Sequence, residues 1–243
     1  MKIDLAGKTA LVTGASGELG RVIALTLARC GADVGVHFHR NRAGAEGVAA
    51  EIAKLGRRTC LLEGDVAAEE VVRGWGRKIS KDLGWPDIIV NNAIIKYQWK
   101  PVLDQGLEDY ESQFRSCVLQ NVLMAQVFAP AMIGKKYGRI IAINTECAML
   151  NLPTQSAYVA GKRGMDGVLR VLAREVGPHG ITVNQVAPGW VISDKDRRAG
   201  TSGIPPMRSR SPWAIAARTR MSRTPWPFSP PISRPSFPVF ICP

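Results

Sequence analysis

Up to about residue 198 the chain alternates short, nearly all-apolar runs with stretches of helical period, and that alternation leaves few folds open. The segments Lys8–Thr13, Asp33–Phe38, Arg58–Glu63, Asp87–Asn91, Arg139–Asn144 and Ile181–Ala187 each predict a strand. In Glu18–Cys30, the residues Leu19, Val22, Ile23 and Leu27 recur at helical spacing. Ala43–Leu55 reads as a helix stopped by Gly56, Ser112–Lys135 as a long helix interrupted by Pro130, and Ser156–Val176 as another. Crossovers of this length join parallel strands with a right-handed turn. Strands apolar on both faces require helices on both sides of the sheet. The predicted class is α/β, a doubly wound parallel sheet in one domain over residues 1–198, with ligands at the carboxyl ends of its strands.

Those ends carry the unusual residues. The first strand runs into Thr13-Gly14-Ala15-Ser16-Gly17-Glu18-Leu19-Gly20 and then directly into a helix. Glycines let the backbone turn sharply and approach a pyrophosphate, while the helix N-terminus offers free N–H groups and partial positive charge. An ordinary glycine-rich turn would look the same. Gly64-Asp65-Val66 follows the third strand, Asn91-Asn92-Ala93 the fourth and Pro188-Gly189 the sixth. Tyr158 and Lys162, four residues apart, share one face of a helix. A free phenol has a pKa of about 10, too high for easy proton transfer near neutrality, and a nearby ammonium lowers it. Taken singly, such a pair is common on helices.

In this order the motifs resemble the short-chain dehydrogenase/reductase family over about residues 6–194, closest to its 3-oxoacyl-acyl-carrier-protein reductase-like subgroup. The resemblance implies a Rossmann-type fold and hydride transfer between a nicotinamide cofactor and a carbonyl or secondary alcohol. It implies Tyr158 as general acid/base, Lys162 tuning it and holding the ribose hydroxyls, and Thr145 where the family has its catalytic serine, thirteen residues before the tyrosine. For the cofactor it implies Gly14, Ser16, Gly17, Leu19 and Gly20 at the pyrophosphate, Asp65 and Val66 beside the adenine, and Asn91 and Ala93 along the cleft. Pro188, Gly189 and Ser193 would lie near the carboxamide.

Related chains that use NAD place an acid after the second strand, where it would repel a 2′-phosphate. Here the segment is His37-Phe38-His39-Arg40-Asn41-Arg42, with no acid and two arginines suited to bidentate phosphate contact. His39 and Arg40 are therefore candidate cofactor contacts, and NADP(H) is favoured over NAD(H).

Several positions depart from the family pattern. Glu18 stands where a glycine is usual, and is expected to point outward. Ile94 follows Ala93 in place of a glycine. The family's active-site asparagine aligns with Cys117, or, with a gap, Asn121. These departures leave an alternative open, a nucleotide-binding relative with no turnover.

Past residue 200 the pattern fails. Residues 201–243 hold ten of the sixteen prolines and six arginines without one acid, so half of the net charge of +12 lies there. This Pro/Arg/Ser-rich stretch, 199–243, reads as an irregular tail, and the family's seventh strand is not legible in it. Its codons can be chosen so that a reading two bases later resembles the family's C-terminal end, which points to a frameshift between residues 195 and 211. The remaining 200 residues carry 26 basic against 20 acidic side chains, no nucleic-acid signature. No uninterrupted run of 18 apolar residues predicts a membrane span, and the N-terminus has no secretory layout. Five scattered cysteines fit a reducing cytoplasm and no metal site. The expected partners are a small carbonyl or alcohol substrate and further copies of the chain, as homodimer or homotetramer, weakened by the altered C-terminus; neither nucleic acid nor membrane is expected.

Overall fold

The computed structural model describes residues 3–189 and residue 191. The tail, the frame change and Ser193 lie outside the described residues.

Six strands form one parallel sheet: β1 (Thr9–Val12), β2 (Asp33–Phe38), β3 (Thr59–Glu63), β4 (Ile88–Asn91), β5 (Gly138–Ile143) and β6 (Ile181–Val186), in the order β3-β2-β1-β4-β5-β6. The order reverses between β1 and β4, which opens a crevice at their carboxyl ends. Seven α-helices accompany them among the described residues: α1 (Glu18–Arg29), α2 (Arg42–Lys54), α3 (Glu69–Asp82), α4 (Leu107–Gln113), α5 (Gln120–Lys135), α6 (Cys147–Leu150) and α7 (Ser156–Val176).

The two sheet faces build separate cores because strand side chains alternate. Ala10, Val12, Val34 and Val36 pack under Ala24, Leu25 and Ala28 of α1 and Val48 and Ile52 of α2. Leu11, Leu62, Ile89 and Ile140 face the other way, under Val72, Trp75 and Ile79 of α3 and Met124, Phe128 and Met132 of α5. The expected doubly wound class is the observed one.

Three local expectations are corrected. In α1 the stripe that reaches the sheet is Gly20, Ala24 and Ala28, with Leu25, while Val22 is exposed. Small residues there let the helix axis approach β1 and β2 closely. The helix α3 was not foreseen; its many charges mask the 3–4 spacing of Val72, Trp75 and Ile79. Pro130 does not break α5, and its ring is exposed. The interruption lies earlier, in a π turn at Phe114–Leu119 between α4 and α5. There the Asn121 side-chain amide donates to the Cys117 carbonyl at 2.7 Å, satisfying a group that the wider turn releases.

By length and composition the helical stretch Leu107–Lys135 would suffice to cross a membrane, a property that a search for uninterrupted apolar runs misses. Met124, Phe128 and Met132 are fully buried against the sheet, so the apolar character is that of a core helix.

Candidate active site

The crevice is built first by the turn after β1. Gly14 has φ +65°, which favours glycine. A Cβ on Gly20 would lie 2.2 Å from the Gly14 carbonyl oxygen and 2.8 Å from Asn92 Nδ2, so nothing larger than glycine fits unless the turn moves. Gly17 caps α1 without any side-chain hydrogen bond, leaving first-turn N–H groups unclaimed by a cap. Ser16 and Leu19 are half-buried beside it, and Glu18 is exposed, as its outward placement requires.

The turn is locked from below by a residue that sequence reasoning passed over. His37 Nδ1 accepts the Gly14 N–H at 2.8 Å, and Nε2 lies 3.0 Å from the Gly64 carbonyl. With Nδ1 accepting, Nε2 carries the proton and donates. Burial pushes the His37 pKa down to about 4, so the ring stays neutral near pH 7. A single histidine inside an apolar strand was the available signal. Trp75 packs against it at 4.5 Å between ring centroids.

Across the crevice, Thr13 Oγ1 receives the N–H groups of Asn92 at 2.8 Å and Ala93 at 3.0 Å and donates to Gln120 Oε1 at 2.6 Å. Asn92 Nδ2 donates to the Thr13 carbonyl at 2.9 Å. Asn91 Nδ2 donates to Asn121 Oδ1 at 2.6 Å, while Asn91 Oδ1 is buried without a partner among the described residues. Both ends of Asn121 are thereby engaged, one with Asn91 and one with Cys117. The contacts of Thr13 and Asn92, and Gln120 altogether, were not foreseen because their partners are distant in sequence.

At the adenine end, Val66 is buried and Asp65 accepts the Ala67 N–H at 2.9 Å and Arg115 Nη2 at 3.0 Å. Burial alone would raise the Asp65 carboxyl, but those two partners outweigh it and hold the group below its ordinary value. Beyond β2, His39 and Arg40 are exposed. Arg42 differs from its expected role: it pairs with Glu63, lies 3.7 Å from Glu46 and sits over the Phe38 ring. That leaves Arg40 as the arginine of the pair without an ion pair among the described residues.

The catalytic candidates converge after β5. Thr145 is buried, and its hydroxyl lies beside the Tyr158 phenol. Burial pushes the Tyr158 pKa up to about 12, and the Thr145 hydroxyl opposes part of the rise. Lys162 Nζ donates to the Ile143 carbonyl and lies 5.8 Å from the Tyr158 ring centroid. Burial lowers the Lys162 pKa. The phenol is thus a proton-bearing acid here, and the lowering expected from Lys162 does not offset its burial. Cys117 is buried, its thiol pushed up by burial. Pro188 and Gly189 lie against Glu146, whose N–H donates to the Pro188 carbonyl at 3.1 Å. Among the described residues no cluster of three metal-ligating side chains occurs.

The sequence pattern of the short chain dehydrogenases matches residues 8–201. The chain belongs to the short-chain dehydrogenase family. The 3-oxoacyl-[acyl-carrier-protein] reductase FabG of Staphylococcus epidermidis is 34% identical over 197 residues, covering 77% of this chain and 76% of that protein. Nodulation protein G of a Rhizobium species is 33% identical over 231 residues, covering 88% of each. Among solved structures, a putative short-chain alcohol dehydrogenase from Sinorhizobium meliloti superimposes with TM-score 0.74 at 33% identity over 82% of both chains. A short chain dehydrogenase from Burkholderia cenocepacia in complex with NADP gives 0.72 at 33% identity over 80% of this chain and 78% of that one. This short-chain dehydrogenase is an oxidoreductase that interconverts carbonyl and alcohol groups of small molecules with NAD(P).

Proposed function

We propose that the chain reduces a ketone, and in reverse oxidises a secondary alcohol, with NADP(H) favoured over NAD(H). The observation that carries this reading is the convergence of three side chains after β5: Thr145 and Lys162 are buried, and Lys162 Nζ lies 5.8 Å from the Tyr158 ring centroid. A dinucleotide suits the residues present. The uncapped start of α1 has N–H groups for a pyrophosphate, the glycines let the turn beside it pack closely, and the buried side-chain oxygen of Asn91 has no hydrogen-bond partner among the described residues. Gly14, Ser16, Gly17, Leu19 and Gly20 would hold the pyrophosphate, and Asp65 and Val66 the adenine. Asn91, Ala93, Pro188 and Gly189 would flank the nicotinamide; Ser193 completes this set outside the described residues.

When bound, the cofactor supplies the hydride. Tyr158, protonated, gives its proton to the carbonyl oxygen as negative charge develops there. Thr145 hydrogen-bonds the same oxygen and holds it against the phenol; its hydroxyl preserves what a serine would offer. Lys162 would bind the ribose hydroxyls and favour the phenolate once the proton has left. The no-turnover alternative gains nothing from Thr145, which keeps a hydroxyl beside Tyr158.

The preference for NADP(H) rests on Arg40, exposed beside His39 with no acid at the end of β2. A charge-assisted contact contributes about 1.5–3 kcal/mol, roughly ten- to a hundredfold in affinity. Fluorescence titration should show tighter NADPH than NADH binding, and Arg40→Asp should erase or reverse the difference. Tighter NADH binding by the unaltered chain refutes the assignment. Turnover of a small ketone panel checks the reaction itself.

For assembly, the groove of about 500 Å³ lined by Tyr110, Glu111, Phe114, Arg115, Ala160 and Gly161, between α4 and α7, is the proposed contact with a second copy. A cytoplasmic setting fits the free Cys30, Cys60, Cys117 and Cys147.

A further inference from the structure

The segment between β4 and α4 carries Tyr97 and Trp99 onto the catalytic tyrosine, and neither residue has a role in the reaction derived above. Tyr97 Oη accepts the backbone N–H of Tyr158 at 2.7 Å. That N–H lies in the first turn of α7, where Gln155 provides no side-chain cap. A phenol sixty-one positions earlier in sequence therefore does the work of a cap. The Trp99 ring stacks on the Tyr158 ring, 6.4 Å between centroids and 25° between planes.

The segment is held in place. Gln113 Nε2 donates to the Ile95 carbonyl at 2.8 Å. Gln105 accepts the Lys100 N–H at 3.0 Å and donates to the Gln98 carbonyl at 3.2 Å. Gln105 and Gln113 are both buried, so the anchors are shielded from water. Trp99 nevertheless remains 44% exposed, so part of its surface is open to a ligand. Ile94 and Ile95, on the same segment, are also exposed.

We propose that Trp99 is a specificity-determining residue that selects ketones bearing a flat aromatic or conjugated substituent next to the carbonyl, and that Tyr97 is the positioning residue that sets Tyr158. This rests on Tyr158 being the proton donor. A carbonyl oxygen bonded to the phenol must lie at the edge of a ring that Trp99 nearly parallels. A planar substituent conjugated with that carbonyl can then lie along the indole. A tetrahedral alkyl chain cannot keep the same contact over its length. Aromatic pairs gain about 0.5–1.5 kcal/mol beyond burial, which is roughly two- to twelvefold.

The test compares an aryl methyl ketone with a straight-chain 2-alkanone of equal carbon number. Two readouts are taken: dissociation constants on the enzyme saturated with NADP⁺, by calorimetry, and kcat/KM with NADPH. The unaltered chain should favour the aryl ketone about two- to twelvefold in both. Trp99→Ala should bring the binding ratio near one, and Trp99→Phe should keep most of it. Equal binding of the two ketones by the unaltered chain, or equal losses for both in Trp99→Ala, overturns the specificity role, whether or not turnover occurs. Selective binding without any turnover instead overturns the reductase reading and leaves the binding preference standing. Tyr97→Phe should lower kcat by about tenfold with ketone KM little changed, as expected for one neutral hydrogen bond. An unchanged kcat in a folded Tyr97→Phe variant removes Tyr97 from the positioning role.

Discussion

The half of the crevice made by β1, β2 and β3 is dry along β1 and β2 and turns on one buried imidazole, whereas the half made by β4, β5 and β6 is held by a larger set of polar side chains. β1 is buried at all four residues and β2 at five of its six. There Gly14 and Gly64 meet one neutral imidazole. In the other half, Asn91, Asn121, Thr145, Tyr158, Tyr97 and Gln113 form the supports. The three buried polar atoms without partners among the described residues, on Asn91, Gln113 and Gln155, all belong to that half. Leaving such groups unpaired costs stability. That cost falls in the half that carries the proposed proton donor.

The comparison can be broken most sharply on the polar side. Tyr158→Phe removes one hydroxyl and no packing, so cofactor affinity should stay within a few-fold while ketone turnover falls about 10²–10⁴-fold. Steady-state kinetics beside a fluorescence titration separates the two. Comparable turnover by the purified variant would show that another group gives the proton.

On the dry side the largest effect should come through pH. The folded His37 pKa, about 4, lies below the unfolded value of about 6.5, so the unfolded chain takes up a proton first. Stability is then constant above about pH 6.5 and falls as the pH drops towards 4, by about 3 kcal/mol in all. Thermal melting between pH 4 and 7 measures this, and His37→Gln should flatten the slope. A variant that keeps the full slope would place the acid sensitivity elsewhere. Tyr158 works in the opposite sense: its folded pKa is raised to about 12, so its contribution is complete below about pH 10 and is lost as pH climbs through 12.

The smallest effect, and the finest probe of the turn, is Gly20→Ala. Its methyl would meet the Gly14 carbonyl at 2.2 Å, and overpacking of this kind costs about 1–3 kcal/mol. Both the melting temperature and NADPH affinity should drop. A loss of ketone turnover at saturating NADPH would instead tie the turn to the polar half.

The sequence made the elements easier to read than the contacts between them. Strand β2 lies where its apolar run places it, and α7 runs from Ser156 to Val176 as its period requires. Local pattern suffices for such elements because burial imposes a regular spacing on their apolar residues. Helix α3 escaped because charges crowd between Val72, Trp75 and Ile79. The grouping of Tyr158, Lys162 and Thr145 was legible from spacing and family resemblance, whereas the contacts of Tyr97 and Trp99 were not. Their contacts with Tyr158 span about sixty positions and leave no periodic trace. Arg42 misled for a similar reason: Glu63, its partner, sits on another strand end.

The π turn at Phe114–Leu119 inserts one residue into an otherwise continuous helix. One residue is about 100° of rotation, so α4 and α5 run out of phase around a common axis. Faces that would otherwise compete for the same side chains become independent: α5 aims Met124, Phe128 and Met132 at the sheet, while α4 offers Tyr110 and Glu111 to the groove beside α7. A one-residue deletion within the turn would couple them again, turning one apolar stripe away from its partner. Length in that segment is therefore under tighter constraint than residue identity, and the chain should tolerate substitutions there far better than gaps.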